Sequence, residues 1–139
     1  LLKRSPEQTV AGERVVIEDS ASQVLTVLGR VTGEHGTAKR ARVDGFSVGG
    51  KTGTVHKVGA GGYIDDQYLA LFVGIAPMGN PRYVTAIVVD QPKGDAYGGG
   101  AAAAPIYSRI TNGVLRLRNA VPAIEAPTES LLVALGGGQ

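Results

Sequence analysis

The chain has 139 residues, of which 43% are hydrophobic and 19% are charged. This length suits one domain, and the composition is typical of a soluble globular protein that buries about two-thirds of its unfolded surface. The net charge is only +2. The basic cluster Lys39-Arg40-Arg42 has no aromatic neighbours on which bases could stack, so we do not expect nucleic-acid binding.

The absence of cysteine excludes disulfides, thiol nucleophiles and thiolate metal sites. His35 and His56 are too isolated to predict a zinc site, so we expect neither a metal nor a cofactor. No run of eighteen apolar residues and no signal-peptide pattern occurs, so we expect this stretch neither to span a membrane nor to direct its own export. Residues 1–6 contain no initiator Met and no recognisable domain start, and we expect the chain to be a piece of a longer one.

The first predicted helix begins near residue 20. Asp19 or Ser20 is expected to act as the N-cap, with Ser20 and Gln23 forming an S-x-x-Q capping box. We expect this helix to end at Gly33. An apolar stripe at helical spacing predicts a core-facing side; its members are Ala21, Val24, Leu25, Leu28 and Val31.

Three strands are predicted after this helix, at about residues 46–58, 68–76 and 82–90. The second is a continuous apolar run, which predicts a strand covered on both faces, and the third is expected to be buried as well. Because short turns between consecutive strands favour antiparallel neighbours, the sequence predicts a three-strand meander with the first strand at one side. With flanking helices, this is an α+β fold.

A second helix is predicted from about residue 101. Its apolar stripe is formed by residues spaced three or four apart, with arginines on the other faces; the stripe is Ile106, Ile110, Val114 and Leu117. Pro105 fits the first turn of such a helix. The prolines and glycines that follow predict a loosely ordered tail over residues 119–139.

The candidate functional site is the segment Gly49-Gly50-Lys51-Thr52-Gly53-Thr54. Two chemistries compete for it. Residues 45–52 satisfy the phosphate-loop pattern G-x-x-x-x-G-K-[ST], which would make this a nucleotide-binding protein, but that motif needs a helix directly after the Lys-Thr pair. Residues 52–58 are instead rich in β-branched side chains and glycine, which predicts a strand. A strand favours the second chemistry, the Lys-[Thr/Ser]-Gly triad of serine acyltransferases.

Further segments extend this likeness well beyond the triad. They are Val48-Gly49-Gly50-Lys51-Thr52-Gly53-Thr54, Phe72-Val73-Gly74-Ile75-Ala76-Pro77, Asn80-Pro81-Arg82-Tyr83, Val88-Val89-Asp90-Gln91-Pro92, Tyr97-Gly98-Gly99 and Ala104-Pro105-Ile106-Tyr107. In this order and spacing, over about residues 12–118, the chain resembles the C-terminal part of a class B penicillin-binding protein, in particular the septal peptidoglycan D,D-transpeptidases of Gram-negative cell division.

The resemblance implies that residues 1–118 are the C-terminal portion of a penicillin-binding transpeptidase domain, which has a serine β-lactamase-like fold. In that fold the strands lie beside others from earlier sequence, in one sheet packed between helices. It also implies peptidoglycan stem peptides as substrate, β-lactam antibiotics as ligands, and divisome proteins as partners. The implied location is the periplasmic face of the inner membrane, reached through an N-terminal anchor outside this chain.

The resemblance also assigns roles to individual residues. Lys51 would supply a fixed positive charge for the terminal carboxylate of the substrate, and the hydroxyls of Thr52 and Thr54 would donate to the same group. The backbone N–H of Thr54 would form half of the oxyanion hole. Gly53 would let the substrate approach the backbone. Tyr97 would form part of an aromatic wall, although a tyrosine before two glycines often only packs over a turn.

Two departures from the family pattern matter. The family's nucleophile lies in Ser-x-x-Lys and a second motif is Ser-x-Asn, yet no serine here has Lys or Asn at those spacings; the serines are Ser5, Ser20, Ser22, Ser47, Ser108 and Ser130. The chain is therefore expected to supply one wall of an active site and to be inactive alone. Ala96 stands where relatives often have a second aromatic residue, which puts the aromatic wall in doubt.

Other functions stay open at this point. A related D,D-carboxypeptidase, β-lactamase or β-lactam sensor would share the Lys-Thr-Gly strand, and would differ in whether water or an amine takes the acyl group. A non-catalytic interaction module could keep the fold alone.

Overall fold

The computed structural model describes residues 12–94 and 96–122. These residues form helix α1 (Glu18–Arg30), strands β1 (Gly49–Gly59), β2 (Gly62–Ala76) and β3 (Tyr83–Asp90), and helix α2 (Ala104–Leu117). A short 3-10 turn, Lys39–Ala41, precedes β1, and a π-helical turn, Gly99–Ala103, leads directly into α2. The predicted α+β arrangement of helices around a three-strand meander is confirmed. Of the predicted tail, residues 123–139 lie outside the described range.

The sheet is antiparallel with the order β1-β2-β3. β1 pairs with β2 from Gly49↔Ile75 to Gly59↔Gly62, with a register shift between His56 and Val58. β3 pairs with the other side of β2 from Leu69↔Asp90 to Ala76↔Tyr83. Within the described residues, β1 and β3 are therefore the two edges, as the meander predicted.

Two strand boundaries differ from the prediction. β1 begins at Gly49 rather than near residue 46, because the N–H of Phe46 donates to the carbonyl of Val43 at 3.0 Å and closes a tight turn there. β2 begins at Gly62, well before the apolar run at residue 68. Gly62 and Tyr63 pair with Gly59 and Val58 of β1, so the hairpin begins the strand before the polar residues 65–67, which lie where the register shifts.

The core lies between one face of the sheet and α2. Phe72, Tyr107 and Leu115 are the largest fully buried side chains. The rings of Phe72 and Tyr107 meet edge to face, with centroids 4.9 Å apart and planes at 65°, a favoured aromatic geometry. The other face of the sheet is open within the described residues: Val84 is 72% exposed, and Val73 and Val88 are exposed as well. The predictions that β2 is covered on both faces and that β3 is buried are therefore wrong for this part of the chain.

The side of α2 that is buried is not the side that carries its predicted apolar stripe. Its buried residues are Ala104, Tyr107, Thr111 and Leu115, whereas Ile106, Ile110 and Leu117 are 39%, 45% and 83% exposed. Small residues explain the choice, because Ala104 and the side-chain-free Gly74 let the helix approach closely enough to bury the ring of Tyr107. Burial of one aromatic ring removes a large apolar area from water.

α1 also differs in detail. It begins at Glu18 with Ile17 at the N-cap position and no side-chain cap, so the predicted caps at Asp19 and Ser20 and the capping box are wrong. Glu18 and Asp19 lie in the first turn, where their charges interact favourably with the helix dipole. No residue of α1 is fully buried, and Val24 of the predicted core stripe is exposed.

Replacing Gly74 with alanine is expected to destabilise the fold. A Cβ at this position would lie 2.3 and 2.4 Å from ring carbons of Tyr107 and 2.8 Å from Phe72. Overpacking of this kind typically costs about 1–3 kcal/mol. Gly113→Ala, on the open side of α2 with nothing within 4 Å, is the control and should stabilise the helix by up to about 1 kcal/mol. Thermal unfolding followed by circular dichroism would measure both, and equal effects would contradict the packing argument.

Tyr107→Phe is expected to leave stability unchanged or to raise it slightly at neutral pH. The hydroxyl of Tyr107 and that of Thr111 are buried without hydrogen-bond partners among the described residues, and a buried unpaired polar group is unfavourable. Burial raises the pKa of Tyr107, and the nearby Thr111 side chain offsets part of this rise.

The same substitution should change the alkaline behaviour of the protein. Because the pKa of Tyr107 is raised in the folded state, the folded chain keeps the phenol proton at pH values where the unfolded chain has lost it. The stability of the native chain is therefore independent of this group well below the ordinary tyrosine pKa of about 10, and it falls as the pH rises above that value. The difference in unfolding free energy between Tyr107→Phe and the native chain should therefore be constant up to about pH 9 and grow in favour of the variant above about pH 10. Urea titrations across this range measure it, and a constant difference throughout would contradict the burial effect.

Candidate active-site strand

The two glycines that open the site segment are there because neighbouring atoms leave no space for side chains. A Cβ on Gly50 would lie 2.3 Å from the carbonyl oxygen of Val73 and 2.7 Å from the ring of Phe72. One on Gly49 would lie 2.8 Å from the sulfur of Met78 and 2.9 Å from the backbone of α1. Both residues are buried. They press the start of β1 against the core and α1, so their role here is packing.

The phosphate-loop interpretation is wrong. After Lys51 and Thr52 the backbone stays extended as far as Gly59, so the helix that a phosphate loop needs directly after the Lys-Thr pair is not formed. Asp90, at the end of β3, is paired with Lys57, whose Nζ lies 2.9 and 3.2 Å from the two carboxylate oxygens.

Lys51 is exposed on β1 and has no acidic partner among the described residues. Its Nζ donates to the carbonyl of Thr52 at 2.9 Å. The single ion pair within the described ranges joins Lys57 to Asp90. The two lysines of this strand therefore differ: Lys57 is neutralised across the sheet, whereas the charge of Lys51 stays available to an anionic ligand.

The hydroxyls of Thr52 and Thr54 lie on one face of β1, because side chains two apart on a strand point the same way. The Thr54 oxygen accepts a hydrogen bond from the N–H of Gly99 at 3.2 Å. Since it is used there as an acceptor, its own proton remains available for donation. The Thr52 oxygen lies 3.3 Å from the hydroxyl oxygen of Thr37.

The π-helical turn holds the loop before α2 against the site. A Cβ on Gly99 would lie 2.1 Å from the carbonyl oxygen of Leu71 and 2.5 Å from that of Gly53. A Cβ on Gly100 would lie 2.2 Å from the carbonyl oxygen of Thr37. This contact was not predicted from the sequence, although the run of glycines from Gly98 was the signal that a close backbone approach occurs here.

Tyr97 belongs to a row of aromatic rings that lies along β1 and β2. It stacks on Tyr68 of β2, with centroids 4.4 Å apart and planes at 22°. His56 of β1 meets Tyr68 edge to face at 4.4 Å and Tyr63 at 5.7 Å. Of these rings the sequence indicated Tyr97 alone, and His56 was considered only as a zinc ligand. Tyr68 was missed because it stands at the start of an apolar run, where an aromatic residue predicts only a strand.

A cleft of about 500 Å³ lies beside Tyr97, with Asp65, Asp66 and Lys93 in its lining. Loss of solvent raises the pKa of Tyr68, and repulsion from Tyr97 and then from the two aspartates adds to the rise. Like any tyrosine hydroxyl, that of Tyr68 is protonated at neutral pH and can donate a hydrogen bond.

The described residues hold no group of three or more His, Cys, Asp or Glu side chains placed to bind a metal. Neither helix of this part of the chain is both long enough and apolar enough to cross a bilayer.

The chain belongs to the family described as the penicillin binding protein transpeptidase domain, whose pattern matches residues 3–112. It is 37% identical over 118 residues to a probable peptidoglycan D,D-transpeptidase, PenA, of Neisseria flavescens, and this match covers 84% of the chain and 30% of that protein. It is 36% identical over 113 residues to the peptidoglycan D,D-transpeptidase FtsI of Escherichia coli K12, covering 81% of the chain and 19% of that protein.

A solved structure shows the same fold. The apo transpeptidase domain of penicillin-binding protein 3 from Burkholderia pseudomallei is 40% identical, with a TM-score of 0.78 over 88% of this chain and 37% of that one. The chain thus spans less than a third of the curated relatives described and little more than a third of the solved domain.

Gly99→Ala is expected to disturb the site, because the added Cβ would collide with the backbone of both β1 and β2. The π-helical turn would have to move away, which breaks the hydrogen bond from Gly99 to Thr54 and costs about 1–3 kcal/mol. Amide exchange at residues 51–55 and 99 should become faster. Gly61→Ala, in the β1–β2 turn with nothing within 4 Å, is the control. Similar exchange in both variants would contradict the role assigned to this contact.

Proposed function

We propose that the protein carrying this chain is a peptidoglycan D,D-transpeptidase, and that β1 forms one wall of its active site. The observation that carries the proposal is the geometry of Lys51-Thr52-Gly53-Thr54. This segment lies on an extended edge strand, with an ammonium group free of acidic partners among the described residues and two hydroxyls on one face. Membership of the transpeptidase family supports it.

In the proposed reaction, a serine oxygen attacks the carbonyl carbon between the two terminal D-alanines of a stem peptide. The serine proton passes to a base, the peptide C–N bond breaks, and D-alanine leaves after gaining a proton. An amine of a neighbouring stem peptide then attacks the acyl-serine ester, which releases the serine and completes the cross-link. A β-lactam would acylate the same serine.

The residues of β1 would act on the substrate rather than supply the nucleophile. Lys51 would attract the terminal carboxylate, and the Thr52 and Thr54 hydroxyls would donate to it. The backbone N–H of Thr54 would stabilise the oxyanion, where one donor typically contributes about 3–4 kcal/mol. Gly53 leaves the approach free of a side chain. Tyr97, stacked on Tyr68, would form the aromatic side of the site.

The serine would come from elsewhere in the same protein, because none of the 139 residues completes a Ser-x-x-Lys motif. We therefore infer that residues 1–118 complete a transpeptidase domain together with other sequence. The outer edge of β3 and the open sheet face around Val73, Val84 and Val88 support this, because an unpaired edge and exposed apolar residues are surfaces that folded domains normally cover.

The cellular setting is part of the proposal and rests on the resemblance to septal enzymes. It comprises cell-division cross-linking, divisome partners and the periplasmic face of the inner membrane. Transfer of the acyl group to water, as in a carboxypeptidase, would use the same β1 strand. Nucleotide binding is not supported, because the strand after Lys51 removes the phosphate site.

Lys51→Ala is expected to slow acylation by a fluorescent penicillin about 10²–10³-fold in the complete protein, as the loss of one preorganised electrostatic contact typically does. Lys57→Ala is the matched control, since Lys57 lies on the same strand but is already paired with Asp90. Its acylation rate should stay within about twofold of the native rate, because an exposed ion pair contributes about 0–1 kcal/mol.

Equal loss in the two variants would indicate general damage to β1 and would contradict a specific role for Lys51. The 139-residue chain alone should show no acylation. Stoichiometric labelling of that chain would refute the inference that the nucleophile lies outside it.

A further inference from the structure

Three glycines follow Tyr97, and packing requires only two of them to lack a side chain. A Cβ on Gly99 or on Gly100 would lie 2.1 or 2.2 Å from a backbone carbonyl oxygen, which the folded chain cannot accommodate. Gly98 differs from both. A Cβ there would have one neighbour within 4 Å among the described residues, the hydroxyl oxygen of Thr54 at 3.6 Å, which is an ordinary van der Waals separation. Packing therefore does not explain why residue 98 is a glycine.

The backbone conformation of Gly98 does not explain it either. Gly98 has a φ of −75° and a ψ of 158°, which lie in the extended region that every residue type can adopt. Its carbonyl accepts hydrogen bonds from the N–H groups of Ala101 at 3.0 Å and Ala102 at 2.8 Å, and neither bond depends on a side chain at residue 98. The fold is therefore compatible with a side chain at this position, and what its absence changes is the space beside Thr54.

The space beside Gly98 lies between two contacts of the candidate site. On one side, the rings of Tyr97 and Tyr68 stack with their centroids 4.4 Å apart. On the other side, the N–H of Gly99 donates to the hydroxyl oxygen of Thr54 at 3.2 Å. Residue 98 thus connects the aromatic side of the site to this hydroxyl without placing a side chain between them. A ligand atom beside the hydroxyl meets only the backbone of residue 98.

The chemistry of the proposed substrate identifies which of its atoms would lie there. When the Thr54 hydroxyl donates to a terminal carboxylate, the ligand atoms nearest to it are the carboxylate and the carbon that bears it. In a stem peptide that ends in D-alanine, this carbon carries a methyl group. The methyl carbon is only three bonds from the carboxylate oxygens, so it lies close to Thr54. A side chain on residue 98 would extend into the same region.

We propose that Gly98 determines the specificity of the site for the terminal residue of the donor peptide. The space left by its missing side chain accepts a substituent on the carbon that bears the carboxylate. This inference rests on the proposed function, in which the Thr54 hydroxyl binds that carboxylate. The role of Gly98 is steric, so the residue at position 98 sets the ratio between the rates for a substrate with this substituent and one without it.

Two thioester substrates that differ by one methyl group test the proposal in the complete protein. Both carry the same N-acyl-D-alanyl group, and the leaving group is thioglycolate in one and D-thiolactate, which adds the methyl group beside the carboxylate, in the other. Gly98→Val should lower kcat/KM for the thiolactate about tenfold or more relative to the thioglycolate, since one such group in a filled pocket typically changes the rate about 10–200-fold. Gly98→Ala should change the ratio in the same direction by a smaller factor. Gly61→Val, in the β1–β2 turn with nothing within 4 Å, is the control and should leave the ratio unchanged.

Thermal unfolding of the same variants separates specificity from damage. Gly98→Ala and Gly98→Val should unfold within about 3 °C of the native protein, because the backbone at residue 98 accepts a side chain. A much larger fall would show that another part of the protein fills the space, and would overturn the proposal. An equal loss with both thioesters, or an unchanged ratio in Gly98→Val, would also overturn it and leave the proposed function intact. A native protein that reacted with neither thioester and with no penicillin would instead refute the proposed function, and this inference with it.

Discussion

The structure depends on close contact between backbones at positions where no side chain intervenes. Gly99 lies directly on the carbonyls of Leu71 and Gly53, and Gly74 leaves the space that the ring of Tyr107 fills. These contacts hold the helical layer against the sheet at both the core and the site. Dense packing of this kind leaves few alternative arrangements, because even one added carbon must displace a neighbour.

The site inherits its geometry from this packing. β1 is fixed from one side by its pairing with β2 and from its face by the π-helical turn, while its outer edge is not covered by a strand of the described residues. This pairing and this contact fix the backbone positions of Lys51, Thr52 and Thr54. Preorganised groups of this type interact more strongly with a developing charge than mobile ones do.

Sequence reasoning succeeded where a local pattern and the tertiary environment agreed. The β-branched residues after Lys51 predicted a strand, and pairing with β2 confirmed it. It did not predict which side of a helix is buried, because tertiary packing determines this. On α2 the sequence shows an aliphatic stripe, yet the helix buries Tyr107 and Leu115 on another side, because Gly74 of the sheet leaves space for a ring there. It also missed the start of β2, because the hairpin pairs Gly62 and Tyr63 with β1 ahead of the polar residues 65–67.

The amino-acid sequence by itself determined the family resemblance, the strand character of the Lys-Thr-Gly segment and the order of helices and strands, because these follow from residue type and spacing along the chain. The tertiary structure alone decided which lysine of β1 keeps its charge free, which hydroxyl accepts from Gly99, and that Tyr97 stacks on Tyr68. The physical reason is that these are contacts between residues distant in sequence. Such contacts depend on the register of the strands and on where the helical layer settles, which no local pattern encodes.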